Sequence, residues 1–576
     1  MKKLQGVAVS DGIAIGNTRI ILRPKLHIRR KSITQNQIKT EFERFESHVN
    51  NVVEEIDQLI TDISQNQDNR DILSTHKMIL TDPEFEASVK KLIEEELLSL
   101  EQAINKHFTA VVELFSNMEN GYFAQRSSDY EDVAYRLLSK ILKQGGDRFE
   151  GLEQDMILIT DNITPSEVTS VFAKNIQALC TERGSKNSHS SIIARSMNLP
   201  TLVNVKDLLA NIENDQKVIV DGHQGVIIVD PDRKTLAEYE PLWKQEKKDK
   251  QLLLALTDKE STTSDGHQIS LMSNIELPEE LDNVLKVKSN GIGLFRTEFL
   301  FMGRKELPDE EEQFAIYDKI AAKIAPEPLI IRTIDVGGDK LSEVLNLEHE
   351  LNPNLGVRGI RISLKHIPIF KHQIRAILRA STRENIKIMF PMISTVREII
   401  KVKTVINECM KELEKEDIPF DNAIQIGAMI ETPSAAITSD TIAEECDFLS
   451  IGTNDLIQYT LAVDRDNMAV GDYYIPYHPS VLRLIKMTAD NCQKKKISCA
   501  VCGEMASEKI FIPLLLGLGI NELSVSPGRL LMVKNEIMKY DLQKIKGHTD
   551  LILQQNTCED VYDKILKYGE LDEYFE

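Results

Sequence analysis

Eight short apolar runs recur through the second half of the chain, each separated from the next by a longer stretch of helical periodicity. They are ISLMSNI (269–275), GIGLF (291–295), LIIRTI (329–334), IKIMF (386–390), IQIGAMI (424–430), DFLSI (447–451), ISCAV (497–501) and INELSV (520–525). A strand that is apolar at nearly every position is buried on both faces, as parallel strands covered by helices are. Eight of them alternating with helices over residues 263–576 fit a (β/α)8 barrel. Such barrels gather their chemistry at the C-terminal ends of the strands. Polar residues fall there: Arg296 follows the second run, Arg332 lies near the end of the third, Glu431 ends the fifth, Asn454 and Asp455 follow the sixth, and Cys502 ends the seventh.

At 576 residues the chain is too long for one core, and its first half has a different texture. Residues 1–30 and 146–232 carry short β-branched runs punctuated by Gly, Asp, Asn and Pro, such as DMILIT, KVIVDG and GVIIVDP. Between them the apolar positions Ile38, Phe42, Phe45, Val49, Val52, Ile56, Leu59 and Ile63 alternate steps of four and three on a charged surface, which predicts a long amphipathic helix. Pro83 breaks that pattern, and further helical segments follow through Leu92, Phe108, Phe115 and 135–142. Residues 31–145 therefore read as a helical bundle inserted into an α/β domain made of 1–30 and 146–232. Residues 233–262, with KQEKKDKQLLLALTDKE, read as a charged linker helix before the barrel. The fold class is multidomain α/β.

Asp and Glu outnumber Lys and Arg by 90 to 69, for a net charge of -21, which argues against nucleic acid as the main ligand. The start MKKLQGVAVSDGIAIG lacks a signal-peptide core, and no apolar run approaches membrane-spanning length, so a cytoplasmic protein without membrane insertion is expected. Seven scattered cysteines are not a disulfide framework. Cys499 and Cys502 match CxxC by spacing, but on a strand they point to opposite faces and share no metal.

Arg296, Arg332 and Arg465, the last in LAVDRDN after the sixth run, bring guanidinium groups from three strand ends. Gathered in one pocket they repel unless an anion lies among them, and their planar forks suit phosphate and carboxylate. Each arginine alone reads equally well as a surface ion pair. Glu431 and Asp455 supply two carboxylates at the same mouth, enough for a hydrated Mg2+ that completes its shell with substrate oxygens. An anion with Mg2+ implies a phosphoryl compound. A thiol in a cationic pocket has its pKa pulled toward neutrality, so Cys502 is a candidate proton donor or acceptor, the alternative being a buried structural thiol. If the substrate is an enol phosphate, loss of the phosphoryl group leaves an enolate that needs a proton on carbon.

A second centre is TERGSKNSHSSIIARSMNLP (181–200). His189 stands just before a helical segment, where free backbone N–H groups favour a phosphate, and imidazole is a covalent nucleophile near neutral pH. The alternative is an ordinary structural histidine.

GSKNSHSSIIARSMNLP, GIGLFRTEFLFM, IIRTIDVGGDK, NPNLGVRGIRI, IMFPMIST, IGAMIETPSAA, IGTNDLIQYTLAVDR and CGEMA together resemble enzyme I of the bacterial phosphoenolpyruvate (PEP)-dependent sugar phosphotransferase system. The match runs from GVAVSDGIAIG to the last barrel strand. The resemblance implies a swivelling phosphohistidine domain followed by a PEP-binding (β/α)8 barrel. It implies that PEP phosphorylates His189 on Nε2, that the group passes to a histidine of the phosphocarrier protein HPr, and that pyruvate is released, the first step of sugar uptake. Arg296, Arg332, Asn454, Asp455 and Arg465 are then placed at PEP, Glu431 and Asp455 at Mg2+, and Cys502 as the acid that protonates the enolate. The resemblance also implies that the inserted bundle docks HPr and that the barrel forms a homodimer. Because His189 and the PEP pocket fall in different domains, a swivel about the segments near 145 and 233–262 is expected to bring them together.

Some positions depart from the family pattern. Relatives carry GGRTSH where this chain has GSKNSH, so the phosphate cradle loses a glycine and exchanges an Arg for Lys186. Val168 stands where a Thr able to hydrogen-bond the histidine ring is expected, leaving Ser166 or Thr169 to replace it or tautomer control weaker, and Val357 replaces a usual Trp. None removes a group the chemistry requires. Pyruvate phosphate dikinase and PEP synthase combine a similar domain and barrel but need an ATP-binding domain, which this sequence lacks. A PEP-responsive regulator is the alternative of another class, supported only by the altered loop at 184–188.

Overall fold

The computed structural model describes residues 1–22, 33–62, 77–116, 121–142, 154–163, 176–184, 189–196, 199–301, 307–337, 352–465 and 467–570, with single positions between them. They fall into two compact units, Met1–Lys250 and Gln251–Glu576.

In the first unit the β-branched runs form one sheet. Its strands are β1 (Lys2–Gln5), β2 (Val7–Ser10), β3 (Ile13–Ile20), β4 (Ile157–Thr160), β5 (Ala178–Thr181), β6 (Thr201–Val203), β7 (Lys217–Asp221) and β8 (Val226–Val229), in the order β1-β8-β7-β3-β4-β5-β6-β2. Strands β3, β4, β5 and β6 are parallel, whereas β7 and β8 form an antiparallel hairpin beside β3. The register sets Thr18 opposite Ile157, so the chain between them leaves and rejoins one sheet.

That intervening chain holds the helices Ile38–Asp62, Pro83–Glu96, Leu100–Ser116 and Gly121–Leu142. The seam read from the sequence is their core: Phe45, Val49, Val52 and Ile56 are buried with Val89, Ile93, Ile104, Phe108 and Leu137, and Ile38 and Phe42 pack at its edge. Each such side chain stabilises by about 1.5–3 kcal/mol. The side chain of Leu59, and Ile63, lie outside the described residues. Pro83 opens a helix as well as ending the earlier pattern, because Asp82 caps it by accepting from Glu84 N at 2.8 Å. The helix Arg233–Leu254, charged on most of its surface, packs Leu236, Tyr239 and Trp243 against Ile15, Ile219 and Ile228.

The second unit is a closed barrel. Strands β9 (Ser270–Ile275), β10 (Ile292–Phe295), β11 (Leu329–Arg332), β12 (Ile386–Phe390), β13 (Gln425–Ile430), β14 (Phe448–Ile451), β15 (Ser498–Val501) and β16 (Glu522–Val525) pair in parallel, and β16 returns to β9. Each lies inside one of the eight predicted runs. Strands β10, β11 and β14 are buried at every position, which is why their sequences do not alternate. Met272, Leu294, Ile330, Met389, Met429, Phe448 and Cys502 fill the interior, while the opposite faces pack into a larger cluster with the helices. Gly427 makes room for Phe448, since a Cβ there would stand 2.3 Å from its ring. Among the described residues no helix is long and apolar enough to cross a membrane.

Candidate active site

Arg332 is the last residue of β11, Glu431 follows β13, Asp455 lies in the first turn of the helix Thr453–Leu461 after β14, and Cys502 follows β15. All four are buried, Glu431 to 1 % exposure and Cys502 to 4 %. Arg332 Nη2 donates to Glu298 Oε1 at 2.9 Å, and Nη1 meets Asp335 Oδ2 at 3.1 Å. Asp335 also accepts a two-pronged contact from Arg358, Nε at 3.0 Å and Nη2 at 3.1 Å. The same guanidinium reaches Asp455 at 3.1 and 3.3 Å and the Tyr459 hydroxyl at 3.1 Å. Asp335, Glu431 and Asp455 each offer an oxygen within 4.8 Å of the others.

The backbone is shaped around these carboxylates. Glu431 Oε1 accepts from Met392 N at 2.5 Å, and Met392 holds a φ of 56°, a left-handed conformation uncommon outside glycine. A Cβ on Gly452 would stand 2.9 Å from Glu431 Oε2, so the glycine leaves that oxygen its space.

Burial pushes the Glu431 carboxyl up to about 8, helped by the charges of Asp335 and Asp455 and opposed by Arg332. For Asp335 burial acts in the same sense, but Arg332 and Arg358 outweigh it and hold it below the ordinary carboxylate range. Burial lowers Arg332, yet Glu298, Asp335 and Glu431 more than offset this and keep it raised. Three hard oxygen donors in a dry site, one resisting ionisation because of its burial and then its acidic neighbours, form a donor set that could hold a divalent cation. Arg332 Nε is buried with no hydrogen-bond partner among the described residues.

The Cys502 thiol corrects one expectation. It was predicted to shift toward neutrality, but burial pushes it up and outweighs the pull of Arg332. Its Sγ lies in the apolar interior, 3.7 Å from Ile451 O, so it keeps its proton at neutral pH. Cys499 packs outward and Cys502 inward, the opposite faces expected of that CxxC.

Three family descriptions match consecutive stretches: PEP-utilising enzyme, N-terminal, over 5–126; the mobile domain of such enzymes over 152–225; and their PEP-binding domain over 250–542. The phosphoenolpyruvate-protein phosphotransferase of Priestia megaterium is 38% identical over 563 residues, covering 97% of this chain and 98% of that one. That of Bacillus subtilis (strain 168) is 37% identical with the same coverage, and that of Staphylococcus carnosus (strain TM300) is 35% identical over 569 residues, 98% and 99% of the two chains. The chain belongs to the phosphoenolpyruvate-protein phosphotransferases.

As a phosphoenolpyruvate-protein phosphotransferase, it is an enzyme of PEP-dependent phosphoryl transfer, and the barrel is its PEP-binding part. Of the residues read from the sequence, Arg332, Glu431, Asp455 and Cys502 converge. Arg296, at the end of β10, is 38% exposed and paired with Glu276, and its charge acts on both Asp335 and Cys502. Asn454 is locked to Glu504, donating to Oε1 at 3.2 Å and accepting from its N at 3.0 Å. Arg465 is exposed beyond the helix Thr453–Leu461, with its backbone N donating to Gln458 Oε1 at 3.2 Å. His189 is the first residue of the helix His189–Ser196 in the first unit. Its side chain lies outside the described residues, as do positions 185–188, Ser166 and Thr169. Val168 is fully buried among Leu158, Val171 and Leu179, where a branched apolar side chain packs well.

Sequence reasoning missed Glu298, Asp335, Arg358 and Tyr459. Asp335 had a readable signal, since it follows Arg332 by three residues at the same strand end. Arg358 had none of that kind: it comes to the rim through an isolated bridge to Gly337 in the loop after β11.

Proposed function

We propose that the barrel rim binds PEP, that His189 takes the phosphoryl group on Nε2, and that it passes the group to a histidine of HPr, the first step of sugar uptake. The observation that carries this reading is the buried triad of Asp335, Glu431 and Asp455 set beside Arg332 and Cys502 at one end of the barrel. Arg296, Arg332, Asn454 and Arg465 bind the carboxylate and phosphoryl oxygens of PEP. Glu431 and Asp455, joined by Asp335, hold Mg2+, which neutralises charge on the phosphoryl oxygens when bound.

The phosphorus–oxygen bond of PEP breaks as His189 Nε2 attacks in line, and its electron pair stays on the enol oxygen. Arg332 and Arg296 offset that negative charge. The enolate carbon then takes the proton of Cys502, giving pyruvate and a thiolate that regains its proton from water. This protonation is what makes PEP a strong donor, so the acid at the barrel mouth drives a transfer completed elsewhere. Residues 1–30 with 146–232 form the phosphohistidine domain, 31–145 dock HPr, 233–262 link, and 263–576 dimerise, in the cytoplasm.

Incubation with radiolabelled PEP and Mg2+, with and without HPr, tests the proposal. Wild type is expected to take label and hand it to HPr, and His189→Ala to stay unlabelled. Wild type that leaves PEP intact would overturn the reading, and label kept in the presence of HPr would remove its second half.

A further inference from the structure

Behind the rim lies a chain of buried side-chain hydrogen bonds that grips the backbone carrying Arg332 and Asp335. Its centre is Gln373, 1 % exposed on the helix Ile367–Ala380. Gln373 Oε1 accepts from Ile334 N at 3.1 Å, while Nε2 donates to Thr297 Oγ1 at 3.1 Å and to the Tyr317 hydroxyl at 3.2 Å. Thr297 donates its own hydroxyl to Arg332 O at 2.9 Å. Tyr317 donates to Gln313 Oε1 at 3.1 Å, and Gln313 Nε2 donates to Pro308 O at 3.2 Å. Each hydroxyl donates once and accepts once, so the proton order runs one way and assigns the amide: oxygen toward Ile334, nitrogen toward the two hydroxyls.

The location gives the network its purpose. Thr333 N still bonds to Met389 O of the neighbouring strand β12 at 3.0 Å, but Ile334 N, one residue later, turns to Gln373. The side chain takes over where the strand ladder ends. Thr297 follows Arg296 in the chain, and the next residue, Glu298, accepts from Arg332 Nη2 at 2.9 Å and from Asp335 N at 3.0 Å. The segment 332–335 is thus held to 296–298 from two sides, by Glu298 at the mouth and by Thr297 with Gln373 behind.

We infer that Gln373 is a positioning residue for the PEP reaction, fixing the turn that aims Arg332 and Asp335 and tying it to the strand end that carries Arg296. This rests on the rim being the PEP site. A hydrocarbon at 373 would leave the Ile334 N–H without its acceptor and the Thr297 and Tyr317 oxygens without an incoming donor in a dry core, and the turn would shift to find others.

Since a displacement of about 1 Å at a reacting centre can cost about 100-fold in rate, Gln373→Met is expected to lower kcat/KM for PEP by roughly 10- to 100-fold. Tyr317→Phe removes only the branch that faces away from the rim, so it should lower the melting temperature yet keep kcat and KM near wild type. Thr297→Val keeps the shape but severs Gln373 from the Arg332 carbonyl, and it is expected to lose activity even if Gln373→Met fails to fold. Loss of activity in Tyr317→Phe as large as in Gln373→Met, or normal kcat/KM in Thr297→Val, would overturn the positioning role. Arg332→Ala separates the two ideas. Turnover that survives it sinks the PEP-site reading, whereas turnover lost in Arg332→Ala but kept in Gln373→Met and Thr297→Val sinks the role of Gln373 alone.

Discussion

Cys502 keeps its proton because burial raises it more than Arg332 lowers it, and a thiol in that state is an acid and not a nucleophile. Cys502→Ala is therefore expected to slow pyruvate formation by roughly 10²- to 10⁴-fold while the KM for PEP moves little, as read in a steady-state pyruvate assay. Unchanged turnover would strip the thiol of its assigned role. Glu431 poses the opposite question, because the ligand role proposed for it needs the ionised form. Burial first, then Asp335 and Asp455, push its pKa up from 4.5 to about 8. In metal-free protein the stability tied to this group is full below 4.5 and is lost as pH rises through about 8. A cation seated on the triad must displace that proton, so below about 8 its binding releases one. Calorimetric titration with Mg2+ in buffers of different ionisation enthalpy is expected to show the release, and the gain in melting temperature from Mg2+ should grow with pH. Binding with no proton released below that pH would take Glu431 out of the ligand set.

At the scale of elements, continuous apolar runs announced the eight barrel strands because burial on both faces forbids polar alternation. The rule that barrels act at their C-terminal ends then brought Arg332, Glu431, Asp455 and Cys502 into view. Loops obey no such periodicity. Arg358 lies 23 positions from Asp335 and 97 from Asp455, so no spacing in the sequence announces that its guanidinium pairs with both. The burial of Cys502 was equally illegible, since it depends on Met272, Leu294, Ile330, Met389, Met429 and Phe448, contributed by other strands. The long amphipathic helix was legible from its seam and can be tested there. Ile56 is fully buried, and Ile56→Ala should destabilise the helical core by about 2–5 kcal/mol, read as an earlier midpoint in thermal or urea unfolding. A midpoint that does not move would mean the seam faces water.

Over the whole molecule, the proposed chemistry is divided between units that each have their own cores, the imidazole in Met1–Lys250 and every proposed PEP ligand in Gln251–Glu576. A ligand stabilises only the structure it touches, by about 2.7 kcal/mol at about 100 times its Kd. His189→Ala removes the phosphoryl acceptor, so PEP can be added with Mg2+ without being consumed. Scanning calorimetry of that variant is expected to show the barrel transition rising with PEP concentration while the first unit's midpoint stays, because none of the groups proposed at PEP belongs to the first unit. A first-unit midpoint that climbs as far as the barrel's would place part of the PEP site on the unit that carries the histidine.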